Sequence, residues 1–301
     1  MNESIHRYFH VGLIHFMAYP ATMKGEGPIL DTVTRIAADD YFSVIEITHI
    51  ADAETRRQVK HLLAQSHMEI AYGAQPRLLG GGLNPNALDE TARAQAEKIL
   101  IDSIDEAEFL GAKGIAFLAG KYEEATKAQS YAQLVKTTKN LCAYAKTKQM
   151  RIVLEVFDYD VDKKSLIGPA PLAAEFAREI RASFDNFGLM IDLSHIPQTH
   201  ETPEFVIQTL KPYIVHLHIG SAILTPGAEA FGDTHPRFGF PNGVNDVPEV
   251  VNFLRALQRE GFFNERQPLV LSFEVKPWKD ETPEIVIANA KRVLNRAWAL
   301  L

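Results

Sequence analysis

The stretch Ile214-Val215-His216-Leu217-His218 ends an apolar, strand-like run on a histidine, and three other runs end on a carboxylate. Those three are Ile152-Val153-Leu154-Glu155, Leu189-Met190-Ile191-Asp192 and Val270-Leu271-Ser272-Phe273-Glu274. If the four strands are parallel and closed into a ring, their terminal side chains converge on one hard or borderline divalent cation. This pattern, more than any other in the chain, indicates an enzyme.

Apolar runs of strand length alternate with helical patterns along the whole sequence. Strands are predicted at 9–16, 44–48, 68–73, 114–118, 152–157, 188–193, 213–219 and 269–275. Helices are predicted near 29–40, 52–66, 88–111, 129–149, 170–184, 203–211, 246–260 and 283–300. Parallel strands need helical crossovers, and continuously apolar strands are covered on both faces. The sequence therefore predicts an α/β fold, a (β/α)8 TIM barrel, formed by residues 1–301 as a single domain.

Composition and charge bear on the class of partner and on the cellular compartment. The 301 residues are 46% hydrophobic and carry a formal net charge of −7 without a Lys/Arg stripe, which argues against nucleic acid. No apolar run is long enough to cross a membrane, and the N-terminal residues lack a signal-peptide pattern, so we expect a cytoplasmic protein. The single cysteine, Cys142, excludes an internal disulfide and is predicted to be a buried structural thiol.

Two loops are longer than the usual connection from a strand to a helix. They span residues 75–84, after the third strand, and 220–245, after the seventh. Both leave the C-terminal ends of strands, the face on which barrel enzymes build their active sites. Because Gly80-Gly81-Gly82 does not follow a phosphate-loop spacing, we predict a flexible lid there.

Four motifs together resemble those of the xylose isomerase-like TIM barrels. They are Leu154-Glu155, Asp192-Leu193-Ser194-His195, His216-Leu217-His218-Ile219-Gly220 and Ser272-Phe273-Glu274. This superfamily of sugar phosphate isomerases/epimerases and AP endonuclease type 2 relatives also holds ketose 3-epimerases, hydroxypyruvate isomerases and inosose dehydratases. The resemblance implies that Glu155, Asp192, His218 and Glu274 bind a metal and that His195 contacts a substrate oxygen.

The residues themselves leave alternatives at several of these positions. Buried carboxylates such as Glu155 and Glu274 need a partner, which is either a metal or a neighbouring Lys or Arg. Asp192 and His195, three residues apart at a strand exit, could instead be a helix N-cap and a surface histidine.

The predicted seventh strand carries two histidines, and the predicted second strand carries a glutamate near its end. His216 and His218 face the same side of a strand; His218 is the better ligand, and His216 is predicted to be a hydrogen-bonded core residue. Glu46, near the end of the second strand, either binds substrate hydroxyls or forms a structural ion pair.

The chain also departs from the family pattern after its His-x-His-x-Gly motif. Ketose 3-epimerases continue with an acidic residue and an arginine that hold the substrate, whereas this sequence reads Ser221-Ala222-Ile223-Leu224. Asp233-Thr234-His235 resembles the Asp-x-His pair that binds an additional metal in endonuclease IV-type enzymes, but the histidines those enzymes need after the third and fourth strands are missing. Asp233, His235 and Arg237 are therefore predicted to bind substrate, or otherwise to stabilise the long loop.

These observations predict a divalent-metal-dependent sugar isomerase or epimerase that acts through a metal-stabilised enediolate. Glu155 and Glu274 are the expected proton carriers, and one Mn²⁺ is the expected cofactor, with Mg²⁺, Co²⁺ or Zn²⁺ as alternatives. The alternatives in function are a lyase or dehydratase on a keto-sugar, keto-glycoside or keto-inositol, an endonuclease IV-like hydrolase, and a non-catalytic sugar-binding barrel. The expected partner is a small carbohydrate, without nucleic acid or membrane, and the oligomeric state, including a homo-oligomer, is left open.

Overall fold

Eight parallel strands form the centre of the protein in the computed structural model, which describes residues 1 and 3–301. The strands are β1 (Phe9–Ile14), β2 (Val44–Ile47), β3 (Glu69–Tyr72), β4 (Gly114–Leu118), β5 (Arg151–Glu155), β6 (Phe187–Asp192), β7 (Ile214–Gly220) and β8 (Leu269–Glu274). They are ordered β3-β2-β1-β8-β7-β6-β5-β4, and a parallel bridge between Gly73 and Ala116 joins the two ends. The predicted (β/α)8 barrel is confirmed.

Helices connect the strands of this barrel. They are α1 (His15–Ala18), α2 (Ile29–Ala37), α3 (Ala53–Ser66), α4 (Gln75–Gly81), α5 (Glu90–Leu110), α6 (Lys127–Thr147), α7 (Ala170–Arg181), α8 (Pro203–Leu210), α9 (Val247–Arg259) and α10 (Pro283–Ala299). Asp52, Asp89 and Thr202 cap α3, α5 and α8, because each side chain accepts a hydrogen bond from a first-turn N–H. Within the described residues, none of these helices has both the length and the apolarity needed to cross a bilayer.

Two short helices were not predicted, and both lie on the C-terminal side of the barrel. The first strand ends at Ile14 rather than at residue 16, because the chain turns into α1 at His15. Residues 75–81, predicted as a flexible lid, form α4, which begins with Pro76 in its first turn and ends before Gly82 in the left-handed conformation. The glycines of the predicted lid therefore end a helix.

The strand register brings distant parts of the sequence to one end of the barrel. Asp192 of β6 pairs with His218 of β7, and Gly220 of β7 pairs with Glu274 of β8. Glu155, Asp192 and Glu274 are each the last residue of their strand. Because side chains at parallel strand ends meet at one rim, these residues face a common space.

Candidate active site

Four buried side chains offer ligand atoms around one point at the C-terminal rim. One oxygen or nitrogen from each of Glu155, Asp192, His218 and Glu274 lies within 4.8 Å of the others. The Nδ1 atom of His218 lies 2.9 Å from Glu274 Oε2 and 3.5 Å from Glu155 Oε1. The structure thus brings together the four residues that the sequence predicted as metal ligands.

The chemistry of this donor set fits a divalent cation. Glu155 Oε1 and Asp192 Oδ2 are buried, and neither has a hydrogen-bond partner in the described part of the chain. Unsatisfied carboxylate oxygens are costly in a protein interior, whereas three carboxylates and an imidazole are suitable ligands for Mn²⁺, Mg²⁺, Co²⁺ or Zn²⁺. Glu155, Asp192, His218 and Glu274 are therefore the residues that would hold the metal.

Burial and charge pairing act in opposite directions on the pKa values of this group. It raises the pKa of Glu274 to about 7, even though the neighbouring His235 and His218 act in the opposite direction. Burial alone would lower the pKa of His218, but Glu46, Glu155 and Glu274 surround the ring and raise that pKa well above its ordinary value. Carboxylates next to both ring nitrogens of His218 therefore favour the charged form of the imidazole.

Glu46 lies beneath His218, between the two histidines of β7. Its Oε1 atom is 2.7 Å from His216 Nε2 and 3.1 Å from His218 Nε2. Burial would raise the pKa of Glu46, but the two imidazoles outweigh it and hold this pKa well below the ordinary value. His216 is hydrogen-bonded, as the sequence predicted, and Glu46 orients the ring of His218 as well as lining the cavity above it.

A second set of charged residues lies beside the first and includes three of the predicted substrate-binding residues. Asp233 Oδ1 lies 3.1 Å from His195 Nε2 and 3.0 Å from His235 Nε2, and it accepts a hydrogen bond of 2.9 Å from Gln198. His195 Nδ1 donates to the carbonyl oxygen of Val156 at 2.9 Å, so that nitrogen carries a proton. This leaves His195 Nε2 directed at Asp233.

Charge pairing within this set moves several pKa values despite burial. Desolvation would lower the pKa of His195 and His235, but Asp233 raises the first well above its ordinary value and the second to about 9. Burial would raise the pKa of Asp233, but His235, His195 and Lys163 together hold it well below its ordinary value. Ion pairing therefore favours the charged forms of all three residues.

The long loop between β7 and α9 delivers Asp233 and His235 to the site but turns Arg237 elsewhere. His235 has a φ of 50°, an uncommon conformation for a residue other than glycine, and its carbonyl accepts a hydrogen bond of 2.7 Å from Lys276. Asp233 and His235 line the cavity. Arg237 Nε instead donates to Glu281 at 2.8 Å, and in the described chain its side chain lies outside the cavity wall.

Two residues of the site were missed by sequence reasoning. Gln75, at the start of α4, donates a hydrogen bond of 2.7 Å to Glu155 Oε2, and Lys163 Nζ lies 3.1 Å from Asp233 Oδ2. Lys163 stands in the run Asp162-Lys163-Lys164, which looks like any solvated charge cluster. Only the fold shows that this lysine is turned inward.

Comparison with known proteins places the chain in a family. A family model described as xylose isomerase-like TIM barrel matches residues 35–285. A search of curated sequences gave no match.

Solved structures share the fold over nearly the whole chain. A D-tagatose 3-epimerase-like protein superposes with a TM-score of 0.72 at 18% identity and covers 97% of this chain and 98% of its own. The 3-keto-D-glucoside 4-epimerase YcjR from E. coli superposes with a TM-score of 0.67 at 13% sequence identity, and the match covers 95% of this chain and 99% of YcjR. The IOLI protein, solved with a zinc atom, superposes with a TM-score of 0.73 at 17% sequence identity, and the match covers 96% of this chain and 98% of the IOLI chain. At these identities the similarity establishes the fold alone.

Proposed function

The chain belongs to the xylose isomerase-like TIM-barrel family, and we propose that it is a divalent-metal-dependent sugar isomerase or epimerase. The observation that carries this proposal is the convergence of Glu155, Asp192, His218 and Glu274 on one point at the active-site rim of the barrel. The similar structures include a keto-glucoside epimerase and a protein related to a tagatose epimerase, which supports the same class of reaction.

The reaction requires a proton to leave a carbon next to a carbonyl group and to return. A divalent cation held by these four residues would polarise the carbonyl oxygen and lower the cost of the enediolate. Glu155 and Glu274 end β5 and β8, which are separated by two strands, so their carboxylates approach a bound sugar from different sides. We propose that one carboxylate removes the proton and the other returns it.

The neighbouring residues would position the sugar for this transfer. His235 lines the cavity and, in its charged form, bears a proton that can be donated to a substrate oxygen. His195 is fixed between Val156 and Asp233 and would act through Asp233. Gln75 holds Glu155 by one oxygen, which leaves the other oxygen for the site. Asp233 orients both histidines, and we include it with Glu46 in the proposed substrate-binding set.

Solvent exchange of the substrate proton tests this proposal directly. The protein would be incubated with a panel of keto-sugars in D₂O, with and without added Mn²⁺, and the C–H signals next to the carbonyl followed by NMR. We expect deuterium incorporation that depends on added metal and is lost in Glu274→Gln. Glu229→Gln, which changes an exposed carboxylate paired with Lys279, is the matched control.

The products and the metal content distinguish the alternatives. Isomers or epimers support the proposal, whereas loss of water or of an alcohol would assign the protein to the lyases. Absence of both metal binding and exchange with every sugar would reduce the protein to a binding barrel.

A further inference from the structure

The cavity above the proposed metal ligands is about 750 Å³ and has two chemically different ends. One end is lined by Glu155, His218, Glu274 and the histidine of the β7–α9 loop. A single sugar unit, with its many hydroxyl groups, matches this polar end. The cavity is much larger than one sugar unit, and it lies in the range that whole ligands of drug size fill.

The other end is lined by apolar side chains from α1, the segment after it and α4. Phe16, Met17 and Met23 form, with Ile14, an apolar cluster that is separate from the main barrel core. Four other apolar residues line the cavity: Pro76, Leu79, Leu83 and Ile99. We call this end the apolar lobe.

The apolar lobe is not explained by the packing of the barrel. Leu79 is 49% exposed although it lines a cavity, and the cluster around Phe16 is separate from the main core. The ring of Phe16 is itself held close to the backbone of Gly73, where a Cβ would lie 2.8 Å from its Cζ atom. A concave apolar surface that is rigid on one side is typical of a ligand-binding site.

The kinds of side chain in the lobe favour an aromatic ligand over an alkyl chain. Thioethers such as those of Met17 and Met23 make favourable contacts with aromatic rings, as do the edges of other aromatic side chains. Lys24 also lines the cavity, and a cation gains energy from an aromatic face but not from an alkyl group. A sugar hydroxyl against Leu79 or Met17 would lose its hydrogen bonds to water.

We propose that the substrate is a keto-sugar joined to an aromatic group. The sugar unit lies against Glu155 and Glu274, and the aromatic ring lies in the apolar lobe, between Met17 and Leu79. This inference rests on the proposed function for the position of the sugar, but its test measures binding and needs no turnover.

Matched glycosides test the inference by calorimetry. Phenyl, cyclohexyl and methyl β-D-glucopyranoside, with the corresponding galactosides as a second set, would be titrated into the protein with and without Mn²⁺. We expect the phenyl glycoside to bind at least about tenfold more tightly than the methyl glycoside, since it buries several more apolar carbons. Equal affinity of phenyl and methyl glycosides in both sets would overturn the inference, and tighter binding of cyclohexyl than of phenyl would overturn its aromatic part.

A pair of leucine variants locates the ring. Leu79→Ser should reduce the preference for phenyl over methyl by roughly three- to tenfold, because the serine removes apolar contact area. Leu88→Ser is the matched control, since Leu88 is 46% exposed and lies outside the cavity. Thermal unfolding of both variants checks that each is folded, and an unchanged preference in folded Leu79→Ser would place the ring elsewhere and reject the lobe.

The two proposals fail separately in these experiments. A phenyl preference without proton exchange on any keto-sugar would remove the proposed function and keep the lobe as a binding site. Proton exchange without a phenyl preference would keep the isomerase or epimerase and remove the aromatic substrate.

Discussion

His218 Nε2 lies 3.1 Å from Glu46 Oε1, so the carboxylate of β2 holds the ring of β7 across the barrel. This contact turns the opposite nitrogen, Nδ1, toward Glu155 and Glu274. A carboxylate on the outer nitrogen of a metal-binding histidine fixes the ring and makes it a better ligand. Glu46 would therefore orient His218 for metal binding, whether or not it also contacts a sugar.

Glu46→Gln should weaken metal binding while leaving all four proposed ligands in place. Loss of such an outer carboxylate costs about 10–100-fold in metal affinity. Isothermal titration measures the affinity for Mn²⁺. The KM for the sugar, determined at saturating Mn²⁺, then shows whether Glu46 also contacts the substrate, as the sequence predicted. Unchanged affinity with a raised KM would show that Glu46 acts on the sugar.

Glu155→Gln and Glu274→Gln are each expected to abolish turnover. Each carboxylate is asked both to bind the metal and to carry a proton, and a carboxamide cannot carry the proton at neutral pH. NMR exchange of the substrate C–H at saturating Mn²⁺ is the measurement. Near-normal exchange in Glu155→Gln with metal bound would require another base, and His195 or Glu46 would be tested next.

His195→Ala should slow the reaction and raise KM while metal binding persists. The ring contacts Asp233 and the carbonyl oxygen of Val156 and is not one of the four proposed ligands, so its loss frees Asp233, which lines the cavity, and leaves the metal site. Titration with Mn²⁺ and steady-state kinetics on the same preparation test both parts. Loss of Mn²⁺ binding in this variant would move His195 into the ligand set.

Arg237→Ala should affect stability more than substrate binding, because the loop turns this side chain away from the cavity. Its guanidinium binds Glu281 and lies 5.6 Å from the ring of Phe240, in a partly exposed pair worth less than about 1 kcal/mol. We expect a slightly lower midpoint of thermal unfolding and an unchanged KM, with Glu281→Gln as the matched variant. A strong rise in KM for Arg237→Ala alone would support the substrate role predicted from the sequence.

His15 should make the fold sensitive to acid. Burial lowers the pKa of this histidine from 6.5 to about 3, so below pH 6.5 the unfolded chain binds a proton that the folded protein does not. The resulting loss of stability grows as the pH falls from about 6.5 toward 3, at up to about 1.4 kcal/mol per pH unit. Denaturant unfolding of His15→Gln at several pH values should give a shallower decline than the wild type.

The matched variant for this experiment is His61→Gln, on the exposed face of α3. His15 Nε2–H donates to Thr32 Oγ1 at 2.7 Å, because the threonine hydroxyl already donates to the carbonyl oxygen of Pro28, which precedes α2. The glutamine can keep a donor there without a group that titrates in this range. An unaltered pH dependence in His15→Gln would show that other buried groups cause the acid sensitivity.

The sequence by itself determined the barrel and the strand-end residues of the site. Strand and helix periods are local properties of the chain, and an apolar run that stops at Glu155, Asp192 or Glu274 marks the end of a strand wherever that strand lies. Because parallel strands in a ring present their C-terminal ends together, the convergence of these side chains followed from the pattern.

The tertiary structure alone decided the course of the loops and the second half of the cavity. Asp233 contacts Lys163, which lies 70 residues earlier in the chain, and Gln75 contacts Glu155, which lies 80 residues later. The periodic pattern of polar and apolar residues along the sequence predicts neither contact. The same holds for Arg237, which the loop turns toward Glu281, and for the apolar lobe, which unites α1 with α4. Loop conformation depends on which distant partners satisfy its polar and apolar groups, and that choice is made only when the whole chain has folded.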